Sequence, residues 1–242
     1  MEVRPAVCGT YTRRRIRKMK RILSVFLALT ILAAGVVCAR AEYYSDTAAT
    51  VGETVITPEE LEAAMRLYQL QAALSSAALD YSYDVTDTLN IIDALSKVLF
   101  DMELQVVIRA QAEEKGIAAL TAEEEKDAAA RAESAWNAYK ETAMSDAGMA
   151  HLPAVEYTPS TDPDETVANY FAAWGLTKDA LVRQAKDEIL NEKLLRAYAA
   201  DMTDTDEDAV LDAYTEWLLA CWADAGVVED AIGVAEVCLN LK

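Results

Sequence analysis

One histidine, His151, together with 41 carboxylates and four cysteines, bounds the chemistry open to this chain of 242 residues. A lone imidazole cannot build a multi-histidine metal centre. The acids gather at Glu123-Glu124-Glu125 and between Asp201 and Asp208. Counted from Asp204, a calcium loop would find Asp206 and Asp208 at its third and fifth positions. Ala209 then stands where the glycine belongs and Thr215 where the bidentate acid belongs. Acids in these places suit helix N-termini, where they complement the macrodipole, so no metal is expected. Ser45, Ser75, Ser76, Ser82, Ser96, Ser134, Ser145 and Ser160 all lie outside any G-x-S-x-G elbow. Glycine-rich phosphate loops are absent too. The residue types therefore predict no catalytic group and no cofactor, and His151 reads as a solvated loop residue.

Aromatic side chains offer a different kind of chemistry, because they bury much area at little entropic cost and anchor peptide contacts well. Trp217 and Trp222 sit at helical spacing and read as core. Tyr170, Phe171 and Trp174 lie on a short helix beside a loop, and Tyr81 and Tyr83 interrupt a helical pattern. These five are the candidate binding residues for an apolar, loosely structured partner.

The elements that must position them are helices. Thr57-Pro58-Glu59-Glu60 combines a cap, a first-turn proline and a capping-box glutamate, and predicts a helix from 58 to about 79. A second runs over roughly 87–115, apolar enough on most sides to be the central buried helix, and Gly116 stops it. Thr121 and Glu124 open a third that reaches about 144. The proline-containing stretch 145–163 is the one sizeable loop and a hinge candidate. Further helices are expected at 164–174, at 178–200 behind Thr177, and at 206–224 behind Thr205 with Asp208. Residues 42–50 read as a linker, 51–56 as a brief strand and turn, and 227–241 as a strand or docked extension. The fold class is all-α with a minor β element, forming a single domain over 42–242.

The first 41 residues differ from the rest. They hold nine basic residues and one acid, leaving 13 basic and 40 acidic residues, a net of −27, on the remainder. The basic run 11–21 precedes eighteen uncharged residues (22–39) and the sequence Ala39-Arg40-Ala41. This is the form of a secretory signal cleaved after Ala41. Retention as a membrane anchor is the alternative, since the apolar stretch is nearly long enough to span. Val37 before Cys38 fits a lipoprotein site poorly, and Arg17 disturbs a twin-arginine reading. An acidic body of this kind repels nucleic acid, which is bound through Lys and Arg, and touches a membrane only through its leader. After export Cys221 and Cys238 remain. They either close a disulfide worth roughly 3 kcal/mol or stay as small buried thiols.

The order of these signals resembles a known family. A secretion signal is followed by Val51-Gly52-Glu53-Thr54-Val55-Ile56-Thr57-Pro58-Glu59-Glu60-Leu61 and a long helix ending Ala112-Glu113-Glu114-Lys115-Gly116-Ile117. Leu120-Thr121-Ala122-Glu123-Glu124 comes next. Gly175-Leu176-Thr177 then leads to Asp187-Glu188-Ile189-Leu190-Asn191-Glu192-Lys193-Leu194 and on to Thr205 and Tyr214. Over roughly residues 50–220 this is similar to the helical N-terminal module of SurA- and PrsA-like exported foldases and to the helical arms of trigger factor. The resemblance implies an extracytoplasmic chaperone that holds unfolded or newly exported polypeptide. Its relatives usually carry a parvulin-type prolyl isomerase domain, for which this chain has no β-rich segment of sufficient size. Two further readings stand beside the chaperone: a degenerate prolyl isomerase, and an envelope protein docking to one fixed partner.

Overall fold

The computed structural model describes residues 45–145, 151–202 and 206–241. The expected secretory signal, with Ala39 and Ala41, lies outside them. Seven helices carry the described residues: α1 (Pro58–Ala77), α2 (Thr88–Glu114), α3 (Ala122–Met144), α4 (Pro163–Ala173), α5 (Lys178–Ala200), α6 (Glu207–Asp224) and α7 (Ala231–Asn240). Three short strands, β1 (Ala49–Val51), β2 (Thr54–Ile56) and β3 (Val228–Glu229), form one antiparallel sheet in the order β2-β1-β3. The fold is thus all-α with a minor β element.

Local chemistry sets the helix starts. Thr57 Oγ1 accepts from the Glu60 N–H at 3.2 Å while Glu60 Oε2 accepts from the Thr57 N–H at 2.9 Å. Thr121 and Glu124 repeat this reciprocal box, so two otherwise orphaned donors are satisfied at each helix entrance. Asp87, Asp162, Thr177, Asp206 and Asp230 cap the others. The cap of α6 is Asp206, next to the expected Thr205, which lies outside the described residues. At the end of α1, Asp80 takes φ +61°, and the Tyr81 N–H reaches back to the Ser76 carbonyl at 3.0 Å. That is the Schellman closure, with Asp in the place glycine usually fills.

The core is built around α2, on which α1, α5, α6, α7 and β1 all pack. Ile91, Leu95, Leu99 and Ile108 are fully enclosed there with Leu61, Met65 and Leu194. A second apolar cluster joins α1, α3, α4 and the start of α5 through Leu70, Leu74, Phe171, Leu176 and Leu181. α3 and α5 lie against each other. Ion pairs Arg131–Glu192, Lys178–Glu133 and Lys193–Glu124 line their contact.

The start of the body departs from expectation, and the tail holds the expected strand but adds a helix. Residues 48–51 are no linker: Ala48 and Ala49 are wholly buried, and β1 is the middle strand of the sheet. The tail is a two-residue strand followed by a helix, since Asp230 caps α7 by accepting from the Ile232 N–H at 2.8 Å. The Asp230 N–H donates to the Ala48 carbonyl at 2.8 Å, and Ser45 Oγ donates to Asp230 Oδ2 at 2.8 Å. Gly233 lies so close to the residues leading into β1 that a Cβ would collide with the Thr47 carbonyl. Gly233→Ala is therefore expected to cost about 1–3 kcal/mol through forced separation of backbones, read as a lowered urea midpoint. An unchanged midpoint would show that α7 is not seated on Thr47.

No disulfide joins Cys221, which is half-buried, to Cys238, which is buried. Burial pushes the Cys221 thiol pKa up, with Asp224 and Glu114 adding to it.

Candidate functional site

Phe171 is fully enclosed, Tyr170 is 3% exposed and Trp174 8%. Phe171 meets Trp136 edge-on at 5.4 Å, and Tyr170 meets Tyr157 edge-on at 5.5 Å. The Tyr170 hydroxyl donates to the Pro153 carbonyl at 2.7 Å. These three side chains fasten α4 and residues 153–157 to the second core; they present no face to a partner, which corrects their reading as a binding surface. Tyr81 is 70% exposed on the connection between α1 and α2. Tyr83, on the same connection, is half-buried, and burial raises its phenol pKa. The five aromatics therefore do not converge on one site.

His151 is less solitary than its sequence suggests. Its Nδ1 lies 2.7 Å from Ser82 Oγ and its Nε2 3.2 Å from Asp80 Oδ1. The contacts run in the order of a nucleophile, a base and an acid, yet the Asp80 side chain is 83% exposed. Water screens a carboxylate in that position, so it orients and polarises the imidazole weakly. The trio ties residue 151 to the end of α1. Among the described residues no group of three or more His, Cys, Asp or Glu is gathered to hold a metal ion.

A groove of about 530 Å3 opens where α1 and α5 both rest on α2, with β2 at one end. Such a volume falls in the ordinary range of ligand sites. Helical spacing explains its walls. α1 contributes Ala64, Leu67, Tyr68 and Gln71, one face at steps of three and four; α5 contributes Ala180, Arg183, Gln184, Asp187 and Glu188 in the same rhythm. Met102, Gln105 and Arg109 rise from α2, and Val55, 48% exposed, closes the end. Two links cross the groove: Gln71 Nε2 donates to Gln184 Oε1 at 2.9 Å, and the Arg109 guanidinium donates to both Asp187 oxygens at 2.8 and 3.1 Å. Gln105 Oε1 is buried without a hydrogen-bond partner.

No family model, curated protein or solved structure matches this chain. The site must be judged on its own geometry.

On the far side of the core, Glu103 of α2 is wholly buried. Trp222 Nε1 donates to its Oε2 at 3.0 Å, and Trp222 meets Phe100 edge-on at 5.5 Å. Its other oxygen has no hydrogen-bond partner. Desolvation, reinforced by Glu229 and opposed by the indole N–H, lifts the Glu103 pKa to about 7; burial raises Glu229 as well. A protonated Glu103 needs no counter-ion, which makes this pair structural rather than chemical.

Neither the groove nor Glu103 was foreseen from sequence. The groove joins residues 113 positions apart across Gln71 and Gln184, and no local pattern carries that. Glu103 did leave a trace, an acid inside the apolar run of α2 beside Met102.

Proposed function

We propose that this chain is an exported, non-catalytic holder of unfolded or newly secreted polypeptide, and that the groove between α1 and α5 is where it holds them. The observation that carries the reading is an open furrow lined by Leu67, Tyr68, Met102 and Val55 within a body of strongly acidic charge. Apolar walls bind the side chains that non-native protein exposes, while the charge keeps the holder soluble and favours basic clients. The order of motifs shared with SurA- and PrsA-like modules supports the same reading, and the basic leader with its apolar run supports export.

The test is suppression of aggregation. The full chain is expected to slow light scattering from a chemically denatured model enzyme at near-stoichiometric ratios. The double variant Val55→Asp, Met102→Gln should need at least about five-fold more protein for the same effect, because it replaces apolar contact area with polar groups. Val55 is half-exposed, so its replacement leaves the core intact. Equal potency of the variant would remove the groove from the reading, and no suppression by the parent chain would end it. Proline-limited refolding is expected to proceed at its uncatalysed rate in the presence of the chain; acceleration would favour the isomerase reading.

A further inference from the structure

The groove ends on a sheet edge. β2 is an outer strand of the order β2-β1-β3, and Thr54, Val55 and Ile56 all line the groove. The register shows which of its backbone groups look outward. Along an antiparallel strand alternate residues bond to opposite sides, each with both its N–H and its C=O. The Asp230 N–H donates to the Ala48 carbonyl at 2.8 Å, and two residues on Thr50 stands opposite Val228, so Thr50 bonds to β3. Its neighbours Ala49 and Val51 therefore bond to β2, where their partners are Ile56 and Thr54. That leaves the Val55 N–H and C=O pointing away from β1, and among the described residues no group is bonded to either. Val55 is half-exposed, so this edge is open to a chain lying in the groove. Open edges are usually blunted by lysine, proline or an inward charge. Thr54-Val55-Ile56 has none of these, and all three residues are β-branched, the type that fits a pleated surface best. The opposite edge, β3, carries Glu229.

Resting on the holder reading, we propose that an extended, basic segment of the client lies in the groove as a fourth strand against β2, its main chain exchanging two hydrogen bonds with Val55. Adding a strand to an open edge is a recurrent way of binding a peptide: main-chain bonds give affinity, and alternate side chains set the choice of segment. Here the apolar side chains of the segment meet the wall on which Leu67, Tyr68 and Met102 stand. Charge decides the rest. Glu60, Asp101, Asp187 and Glu188 outnumber Arg109 and Arg183 along the groove, and Arg109 is already paired with Asp187 at 2.8 Å. Segments that alternate apolar residues with lysine or arginine are therefore the favoured occupants, and their binding weakens as salt rises.

Proline at position 55 separates strand addition from ordinary groove binding. Val55→Pro removes the N–H that faces outward and leaves those of Thr54 and Ile56, which hold β2 to β1; edge strands tolerate proline on their open side. Val55→Ala keeps the N–H and gives up only apolar area. A fluorescein-labelled decapeptide of alternating valine and lysine is titrated with the full-length chain and with each variant, their folding checked by urea midpoint. Val55→Ala is expected to bind it about two- to three-fold more weakly than the unaltered chain, and Val55→Pro at least about ten-fold more weakly than Val55→Ala. Deuterium exchange at the Val55 amide of the unaltered chain, followed by NMR, is expected to slow at least about ten-fold on saturation with the peptide, a readout that does not depend on the proline variant folding. Equal affinity of two folded variants, or an unchanged exchange rate, overturns strand addition while the groove remains a binding site. A peptide with glutamate in place of lysine is expected to bind at least about ten-fold more weakly; equal binding overturns the choice of a basic occupant. A dimer of the unaltered chain that Val55→Pro converts to monomer would give the edge to a second copy, and the proposal falls. If the valine–lysine peptide fails to bind while the chain still slows aggregation, this inference alone falls; failure of both ends the holder reading as well.

Discussion

Replacing Phe171 with alanine lowers the stability of the folded chain by about 3–5 kcal/mol, the range found when a large buried aromatic is cut to a methyl group. Phe171 has no exposed surface and stands at the junction of α1, α3, α4 and the start of α5, among Leu70, Leu74, Leu176 and Leu181. Leu70, Leu74 and Leu181 are held by their own helices and Leu176 sits on the short connection between α4 and α5, so the void closes only in part, and the ring contact with Trp136 is lost as well. Set against a typical total of about 5–15 kcal/mol, the loss is a large fraction of what keeps the body folded. Urea denaturation followed by tryptophan fluorescence measures it directly. A cost below about 1 kcal/mol would mean that the ring is reachable by solvent, and the aromatic trio on α4 would regain its standing as a binding surface.

The second large effect is a dependence on pH. Glu103 has an ordinary carboxyl pKa of 4.5 when unfolded and about 7 when buried. Below pH 4.5 it is protonated in both states and costs nothing. Between 4.5 and 7 the unfolded chain releases the proton while the folded chain retains it, so stability falls as pH rises, by about 1.4 kcal/mol for each pH unit. Above 7 the full penalty, about 3 kcal/mol, is in place. Glu229 faces the same carboxyl and pulls in the same direction. Glu103→Gln removes the titration and keeps an acceptor for Trp222, although its amide N–H groups then need partners of their own. The variant is expected to be more stable than the parent by about 2 kcal/mol at pH 8 and no more stable at pH 4.5. Denaturation curves for both proteins across this range settle the matter, and a constant difference between them would place Glu103 in contact with water. Opposing slopes come from other acids such as Glu124 and Glu192, whose pKa values are lowered, Glu124 first by the Thr121 N–H and Glu192 first by Arg131. Comparing variant with parent cancels those contributions.

Helix starts were the most legible part of the fold because each is a short-range hydrogen-bond problem solved within four residues. Thr57 with Glu60, and Thr121 with Glu124, could be read directly, and the helices they open end within about two residues of expectation. The C-terminal tail is legible in part: its valines suggest a strand, which Val228 and Glu229 form, while only the Asp230 cap reveals the helix that follows. Ala48 and Ala49 read as linker because small residues carry little hydrophobic signal, yet both are wholly buried, and the missing side chain of Gly233 lets α7 lie close to the backbone of Thr47 and Ala48. The error at α4 is the most instructive. Val167, Tyr170, Phe171 and Trp174 repeat at steps of three, one and three, which is the pattern of a buried stripe; their nearness to a loop drew the eye to exposure. The groove itself leaves no local signal, since it arises where faces of three helices distant in sequence meet.

The seam between the first strand and α7 has a consequence for how the protein comes into being. Ser45 and Asp230 are 185 positions apart, so a ribosome must release the residues between them before the sheet gains its third strand. Until then β1 has only its hairpin partner, and closing so wide a chain loop delays completion of the body. A nascent chain kept open in this way stays loose, and locks only once α7 arrives.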